Sequence, residues 1–154
     1  STAVARLPLV ASGVAGAKQI DTLRRMLEHP EVQRRVPVLL THHPLTNPKS
    51  PLAVRMRGLT DAREILALFQ EFPQALALHG HEHHREHEVL ASTRGGQVHR
   101  IGATSASLVH RDRDRMAGYN LYKIIAGKGL VETTARVWDP VAKEFILGRV
   151  PLVA

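Results

Sequence analysis

No cysteine occurs among the 154 residues, which excludes disulfides, thiolate nucleophiles and cysteine-ligated zinc together. Aromatic residues are also scarce, at 4% of the chain, so the core has to be built from Leu, Val, Ile and Ala. Binding of single-stranded nucleic acid by stacking therefore has little support. No apolar run approaches the roughly 20 residues that span a bilayer. The first residues, Ser1 to Gly16, are apolar in patches but broken by Arg6 and Pro8, and do not read as a signal peptide. The expected setting is cytoplasmic, with no membrane association. The chain opens with Ser rather than Met, which leaves processing or a fragment open.

What is present is the material of one ordinary domain, with 44% hydrophobic residues and enough length to bury a core. Lys and Arg outnumber Asp and Glu by 21 to 14, a formal net charge of +7. That surplus admits nucleic acid or another polyanion as a partner, or a basic piece that complements an acidic piece elsewhere. The ten histidines say more than the charge. Five of them, His79, His81, His83, His84 and His87, fall within one short stretch.

The order of elements frames those histidines. Ile20, Leu23, Met26 and Leu27 follow helical spacing over Ala17 to Leu27, and Pro30 stops the helix. Pro37 begins a new element, and Val38-Leu39-Leu40 reads as a buried strand that ends in Thr41-His42-His43-Pro44. Thr46 to Gly58, with Asn47, Pro48 and Pro51, is expected to be a loop. A helix follows, capped by Thr60 or Asp61, with Ile65, Leu66, Leu68 and Phe69 inward and Pro73 at its end. Ala75-Leu76-Ala77-Leu78 is a second apolar strand, which again ends in histidines. Open α/β sheets place their chemistry at that carboxyl edge.

The remainder reads as β-structure. Val98 to Ile101 is one strand, and Tyr119 to Ile125, Leu130 to Trp138 and Lys143 to Leu147 form a meander turned at Gly127-Lys128-Gly129 and Asp139-Pro140. In the middle strand Val131, Thr133, Ala135 and Val137 alternate with Glu132, Thr134 and Arg136, as one buried face requires.

Neutral imidazole is the commonest protein ligand for Zn, Mn, Fe and similar ions. If the segment after Gly80 is extended, His81 and His83 share a face, and Gly80 supplies freedom for a sharp turn before them. His42 meets them if the two strands are parallel neighbours. A lone histidine is more often a solvated or core imidazole, but two strand-end clusters point to a metal site.

Leu40-Thr41-His42-His43-Pro44 followed by Leu78-His79-Gly80-His81-Glu82-His83 resembles the last two motifs of the calcineurin-like metallophosphoesterases, a strand-end His-x-Pro and a Gly-His-x-His. Gln19 to Leu27, Gly102 to Ser107 and Gly118-Tyr119-Asn120-Leu121 also look like family segments, so the resemblance covers nearly all of the chain. It implies residues 1–154 as a single region, the C-terminal half of a four-layer α/β/β/α sandwich. It implies His42 and His81 on one metal and His83 on the other, with the pair of ions being Mn, Fe or Zn. A bridging hydroxide would attack a phosphoester in line, between two ions that stabilise the transferring group. His43 occupies the variable position of its motif, facing substrate or supporting a ligand from behind.

The family's upstream motifs, Asp-x-His, Gly-Asp-x-x-Asp and Gly-Asn-His-Asp/Glu, do not occur. None of Asp21, Asp61, Asp112, Asp114 and Asp139 has the required neighbours. Without a bridging carboxylate two close cations repel each other unopposed. The resemblance therefore implies a chain that holds at most one weakly bound ion and is incomplete alone. Its expected partner is a second polypeptide, or a missing N-terminal half, that carries the carboxylates. A half-fold kept for binding or assembly is the alternative, and polyanion binding a third.

Other patterns carry less. His83-His84-Arg85-Glu86-His87 fits His-x-x-Glu-His, but that zinc chemistry needs a helix, and a strand feeds this segment. Glu82 sits at a variable position and is expected to point away. His110-Arg111-Asp112 alternates charge like a solvated loop. Arg55 and Arg57 follow His42 in the expected loop, where they read first as surface arginines, with Arg57 a candidate to reach a phosphate. Trp138 and Tyr119 are expected to pack.

Overall fold

The computed structural model describes Thr2 and residues 10–153. Arg6 and Pro8, which break the apolar start, lie outside the described residues. The chain is mixed α/β, with one mixed sheet backed by helices and a separate antiparallel sheet.

Helix α1 (Ala17–Glu28) buries Ile20 and Leu27 and begins at Gly16, whose φ of 79° favours glycine. Its first turn has no side-chain cap of its own. Asp61 supplies the anion instead, accepting from the Ala15 and Gly16 N–H groups at 3.0 and 2.7 Å. That corrects the expectation that Asp61 caps the following helix α4 (Ala62–Gln70), where it makes no side-chain cap bond. A carboxylate near the amino end of α1 meets the positive end of that helix dipole.

Two short helices were not expected. α2 (Pro30–Gln33) restarts directly after α1, because Pro30 is pre-set for a first helical position and the His29 ring accepts from Glu31 N–H. The expected loop Thr46 to Gly58 likewise contains α3 (Pro51–Arg57), with Ser50 as its cap and Pro51 opening it. Pro48 and Pro51 mark the approach to a helix here, not a continuous loop.

The larger sheet has the order β1-β2-β4-β3-β8. Strands β1 (Val38–Thr41) and β2 (Leu76–His79) are parallel neighbours, with Thr41 opposite His79. β2 also pairs in parallel with β4 (Gln97–Gly102). β3 (Glu86–Ala91), not foreseen, runs antiparallel to β4 and carries the short strand β8 (Leu152–Val153) on its other side. Glu86 and His87 thus lie on a strand, which removes the helical geometry that the His-x-x-Glu-His pattern needs.

One face of this sheet packs on the helices. Ile20, Leu45, Ala62 and Ile65 meet Ala77, and Leu27, Leu68, Phe69 and Phe72 meet Ala75 and Val98. On the other face Ile101 and Leu78 pack against Ala135 and Val137 of the second sheet. That sheet is the expected meander: β5 (Gly118–Ile125), β6 (Gly129–Asp139) and β7 (Glu144–Gly148).

The expected alternation in β6 holds at Ala135 and Val137, which are buried, and fails at Val131, which is exposed. Glu132 pairs with Lys123 and Leu130 with Ile124, so Val131 is the extra residue of a bulge. A bulge breaks the two-residue period locally and releases one side chain from the inner face. Tyr119 and Phe145 are also exposed and touch at 5.5 Å between ring centroids, so Tyr119 packs on the outer face and not in the core.

At the far side, β1 has no second neighbour among the described residues. Leu40 is 75% exposed there and Val38 43%, which corrects the expectation of a buried strand, because β1 ends the sheet and only the face of Leu39 packs on the helices. No helix among the described residues is long and apolar enough to cross a membrane.

Candidate metal centre

β1 and β2 end side by side, and the chain leaves each into a histidine-bearing turn. The two turns are joined by Gly80 N–H donating to His42 C=O at 3.2 Å. His42 Nε2 and His81 Nδ1 come within 3.1 Å. Two nitrogens on one tetrahedral ion at the usual Zn–N length are about 3.3 Å apart, so this spacing is already close to that of a shared ion. Between neutral imidazoles one nitrogen carries the proton and the other the lone pair, and an ion replaces that proton.

Burial is the main influence that lowers the pKa of His42, and the neighbouring His43 and His83 lower it further. His81 is lowered for the same leading reason, then by His43 and His42, while Glu82 and the Arg57 backbone carbonyl oppose. Both rings are thereby biased to the neutral form that binds metal.

His43 completes a compact triad with these two, their ligand atoms lying within 4.8 Å of one another. Its chemistry differs. The ring is 2% exposed, and Nε2–H donates to the Ala11 carbonyl at 2.8 Å while Nδ1 accepts from the Thr2 hydroxyl at 3.1 Å. Both nitrogens are engaged, so proximity alone does not make His43 a ligand. Its ring lies 4.5 Å from that of His81, tilted 40° to it. Gly13 allows this, because a Cβ there would come within 2.5 Å of His43 Cε1.

The segment 80–83 is not the extended stretch expected from the sequence. His81 and His83 have φ of 64° and 49°, and Glu82 N–H turns back to Gly80 C=O at 2.7 Å. The coiled backbone breaks the rule that residues i and i+2 share a face. Gly80 itself has an ordinary φ, and a Cβ there would meet only the His42 carbonyl, at 3.9 Å. The left-handed turn falls on two histidines instead, each at a cost of order 1 kcal/mol. His83 is exposed and close enough to His42 to affect its charge, but it stands outside the triad.

A polar cavity of about 280 Å³ is lined by Arg57, Glu82, His84, Glu86, Arg100 and Arg115, among others. Glu82, expected to point away, is half-buried and faces this cavity. Arg57, placed on α3 and not in a loop, lines it with an exposed side chain. Arg115 Nη1 donates to the Glu82 carbonyl at 3.2 Å.

Arg100 is buried and neutralised. Its Nε donates to Glu88 at 2.6 Å, and Nη1 donates to Glu86 at 3.2 Å and His79 Nε2 at 3.4 Å. His79 therefore carries its proton on Nδ1, facing the Gly80 carbonyl at 3.3 Å. Burial leads the influences that lower its pKa. His79 thus braces the Gly80 turn through this network. The sequence did carry a sign of it: Arg100 falls inside the expected strand Val98 to Ile101, and a charge in a buried strand needs partners.

The donor set fits one ion at His42 and His81. Among the described residues no carboxylate belongs to that cluster, so nothing there bridges a second ion. No known protein-family profile matches this chain, and no curated protein matches it significantly.

Proposed function

We propose that this chain supplies the histidine side of a metal-dependent phosphoester hydrolase. The reading rests on one observation above the others: His42 and His81 meet at 3.1 Å at the carboxyl ends of adjacent parallel strands. The carboxylate ligands come from another polypeptide or from sequence outside these 154 residues, and a second ion binds only when they are present. On this reading the fold is half of a four-layer sandwich, and the open edge of β1, with Leu40 and Val38 uncovered, is where the completing half adds.

Each residue has a task. His42 and His81 hold the first ion as neutral imidazoles, and His83 turns to the second. His43 fixes the His81 ring through packing while its nitrogens stay on Ala11 and Thr2. Arg57 and Arg115 line the adjoining cavity as donors to a phosphate ester, for which guanidinium geometry is suited. When bound, the ions supply Lewis acidity towards the phosphoryl oxygens and a nucleophilic water at neutral pH.

The test is hydrolysis of a generic phosphodiester, with and without Mn²⁺, by the chain together with whatever polypeptide co-purifies. Activity is expected only with metal and is abolished by His81→Ala. Activity that survives this substitution overturns the metal assignment. The open β1 edge also favours a second reading, a half-fold retained for assembly. A partner that binds at that edge, in a complex that takes up no metal, decides for it.

A further inference from the structure

A second cavity, of about 390 Å³, shares no lining residue with the one beside the histidines. It is lined by Arg85, Arg113, Asp114, Val137, Gly148 and Arg149. Arg85 is the unusual member. It is 1% exposed, the largest fully buried side chain among the described residues. Nη1 donates to the Arg113 carbonyl at 2.9 Å, and Nη2 to the Thr104 hydroxyl at 3.2 Å and the Met116 carbonyl at 3.3 Å. These acceptors are all neutral. No carboxylate lies within 4.0 Å of this guanidinium among the described residues, and its Nε–H has no partner.

A buried charge is ordinarily paired, and a buried donor ordinarily bonded. Here neither condition is met. Asp114 favours the charged guanidinium from a distance, while burial and Arg113 oppose it. Arg113 and Arg149 are exposed and form no ion pair among the described residues. Asp139, which feels the charge of Arg113, is half-buried and already bonded to the Val141 and Ala142 N–H groups. Three cations thus border the cavity against one lining carboxylate, and the most buried of the three has no carboxylate within 4.0 Å among the described residues.

We propose that this cavity is an oxyanion site, taking phosphate as the free ion or as a small monoester. The anion lies between the Arg113 and Arg149 guanidinium groups, with the buried charge of Arg85 behind it. Arginine forks suit phosphate and carboxylate oxygens. Nε of Arg85 is closed off from bulk water, so a full bond to it takes a small rotation of the guanidinium. The field of the charge acts without one.

Occupancy has a structural consequence. Arg85 N–H donates to the Asp114 carbonyl at 2.7 Å, so the site ties the end of the histidine turn to residues 113–116. An anion there strengthens that tie.

The experiment is a titration of the whole chain with inorganic phosphate, against chloride at matched ionic strength, followed by the Arg85 Nε–H resonance and by thermal unfolding. A chelator is present throughout, and His81→Ala is titrated in parallel, so the readout is independent of any metal at the histidines. A saturable shift at millimolar phosphate, with a rise of a few degrees in the midpoint, is expected. The double variant Arg113→Gln/Arg149→Gln, both exposed positions, should fold normally and lose at least about tenfold in affinity. Glycerol phosphate in a separate arm distinguishes an ester site from one for the free ion alone. An unmoved Nε–H resonance, or a double variant that responds like the parent, overturns the proposal.

Discussion

Two histidine pairs in this molecule have nearly the same contact and differ in everything around it. His42 Nε2 and His81 Nδ1 are 3.1 Å apart, and His87 Nε2 and His99 Nδ1 are 2.9 Å apart. The first pair stands on turns beyond the ends of parallel strands, beside a third imidazole and within reach of the charge of a fourth. The second is a diagonal pair across β3 and β4, held by a ladder that pairs His87 with Ile101 and His99 with Val89. A 3 Å contact between rings therefore does not define a site. Place in the topology does, because only a strand-end turn leaves room for further ligands and for a substrate.

The sharpest test of that contrast is metal affinity. Changing a residue that merely supports a ligand costs roughly 10–100-fold in affinity, so removal of a ligand should cost at least the upper end of that range. His81→Ala is expected to lose Zn²⁺ or Mn²⁺ binding to that extent in a calorimetric titration, while His99→Ala leaves it unchanged. Equal losses in the two variants would erase the distinction between the pairs.

The next effect comes from Gly13. Its Cβ would collide with His43 Cε1 at 2.5 Å and with the Thr2 carbonyl at 2.5 Å. Overpacking of this kind costs about 1–3 kcal/mol. Gly13→Ala should lower the denaturant midpoint accordingly and weaken metal binding through the displaced His43 ring. If stability falls while affinity holds, His43 does not position His81.

Much of this contrast was legible in the sequence, for reasons that can be named. The apolar runs at Val38 and Ala75, each closing on histidine, pointed to parallel strands with a shared carboxyl end, and β1 and β2 are such a pair. The periodicity of Ala17 to Leu27 and of Ile65 to Phe69 likewise marked α1 and α4. Strand β3 was hidden because Glu86, His87 and Glu88 show no apolar alternation. Its polar residues are satisfied by Arg100 and His99, contacts that only the folded register creates. The left-handed turns at His81 and His83 left no trace either, because glycine is the residue that advertises such a conformation. Nothing local in the sequence sets Arg85 apart either, because only the fold brings residues 104–116 against it.

The His87–His99 pair offers a pH test that needs no metal. Burial lowers the pKa of both, and His99 lowers that of His87 further. Below the ordinary histidine value of 6.5 the unfolded chain therefore takes up more protons than the folded one. The stability involved is present in full above that pH and is lost as pH falls towards the depressed values. The urea midpoint should fall between pH 7.5 and pH 5.5, each about one unit from the ordinary histidine value. His87→Gln should reduce the fall, since it removes one depressed group. His42, His79 and His81 are lowered too and contribute in the same direction, so a residual slope in the variant is expected. An unchanged slope would mean that the pair is not desolvated in solution.

The smallest effect on the isolated chain belongs to the edge that distinguishes β1 from the rest of its sheet. Leu40 is 75% exposed, so replacing it with Lys removes almost no buried surface and should change stability by less than about 0.5 kcal/mol. A charge on an open edge is also the usual means by which strands are kept from pairing. Leu40→Lys should therefore leave the thermal midpoint of the chain alone in place while weakening any complex that adds to β1, read by co-purification of the two polypeptides. A loss of more than about 1 kcal/mol by the isolated chain would show that Leu40 is already covered in solution, by a second copy of the chain or by its own residues, since surface changes away from packed features stay well below that. The histidine pair would then stand at a closed edge, and on the proposed function the completing carboxylates would have to arrive from another side.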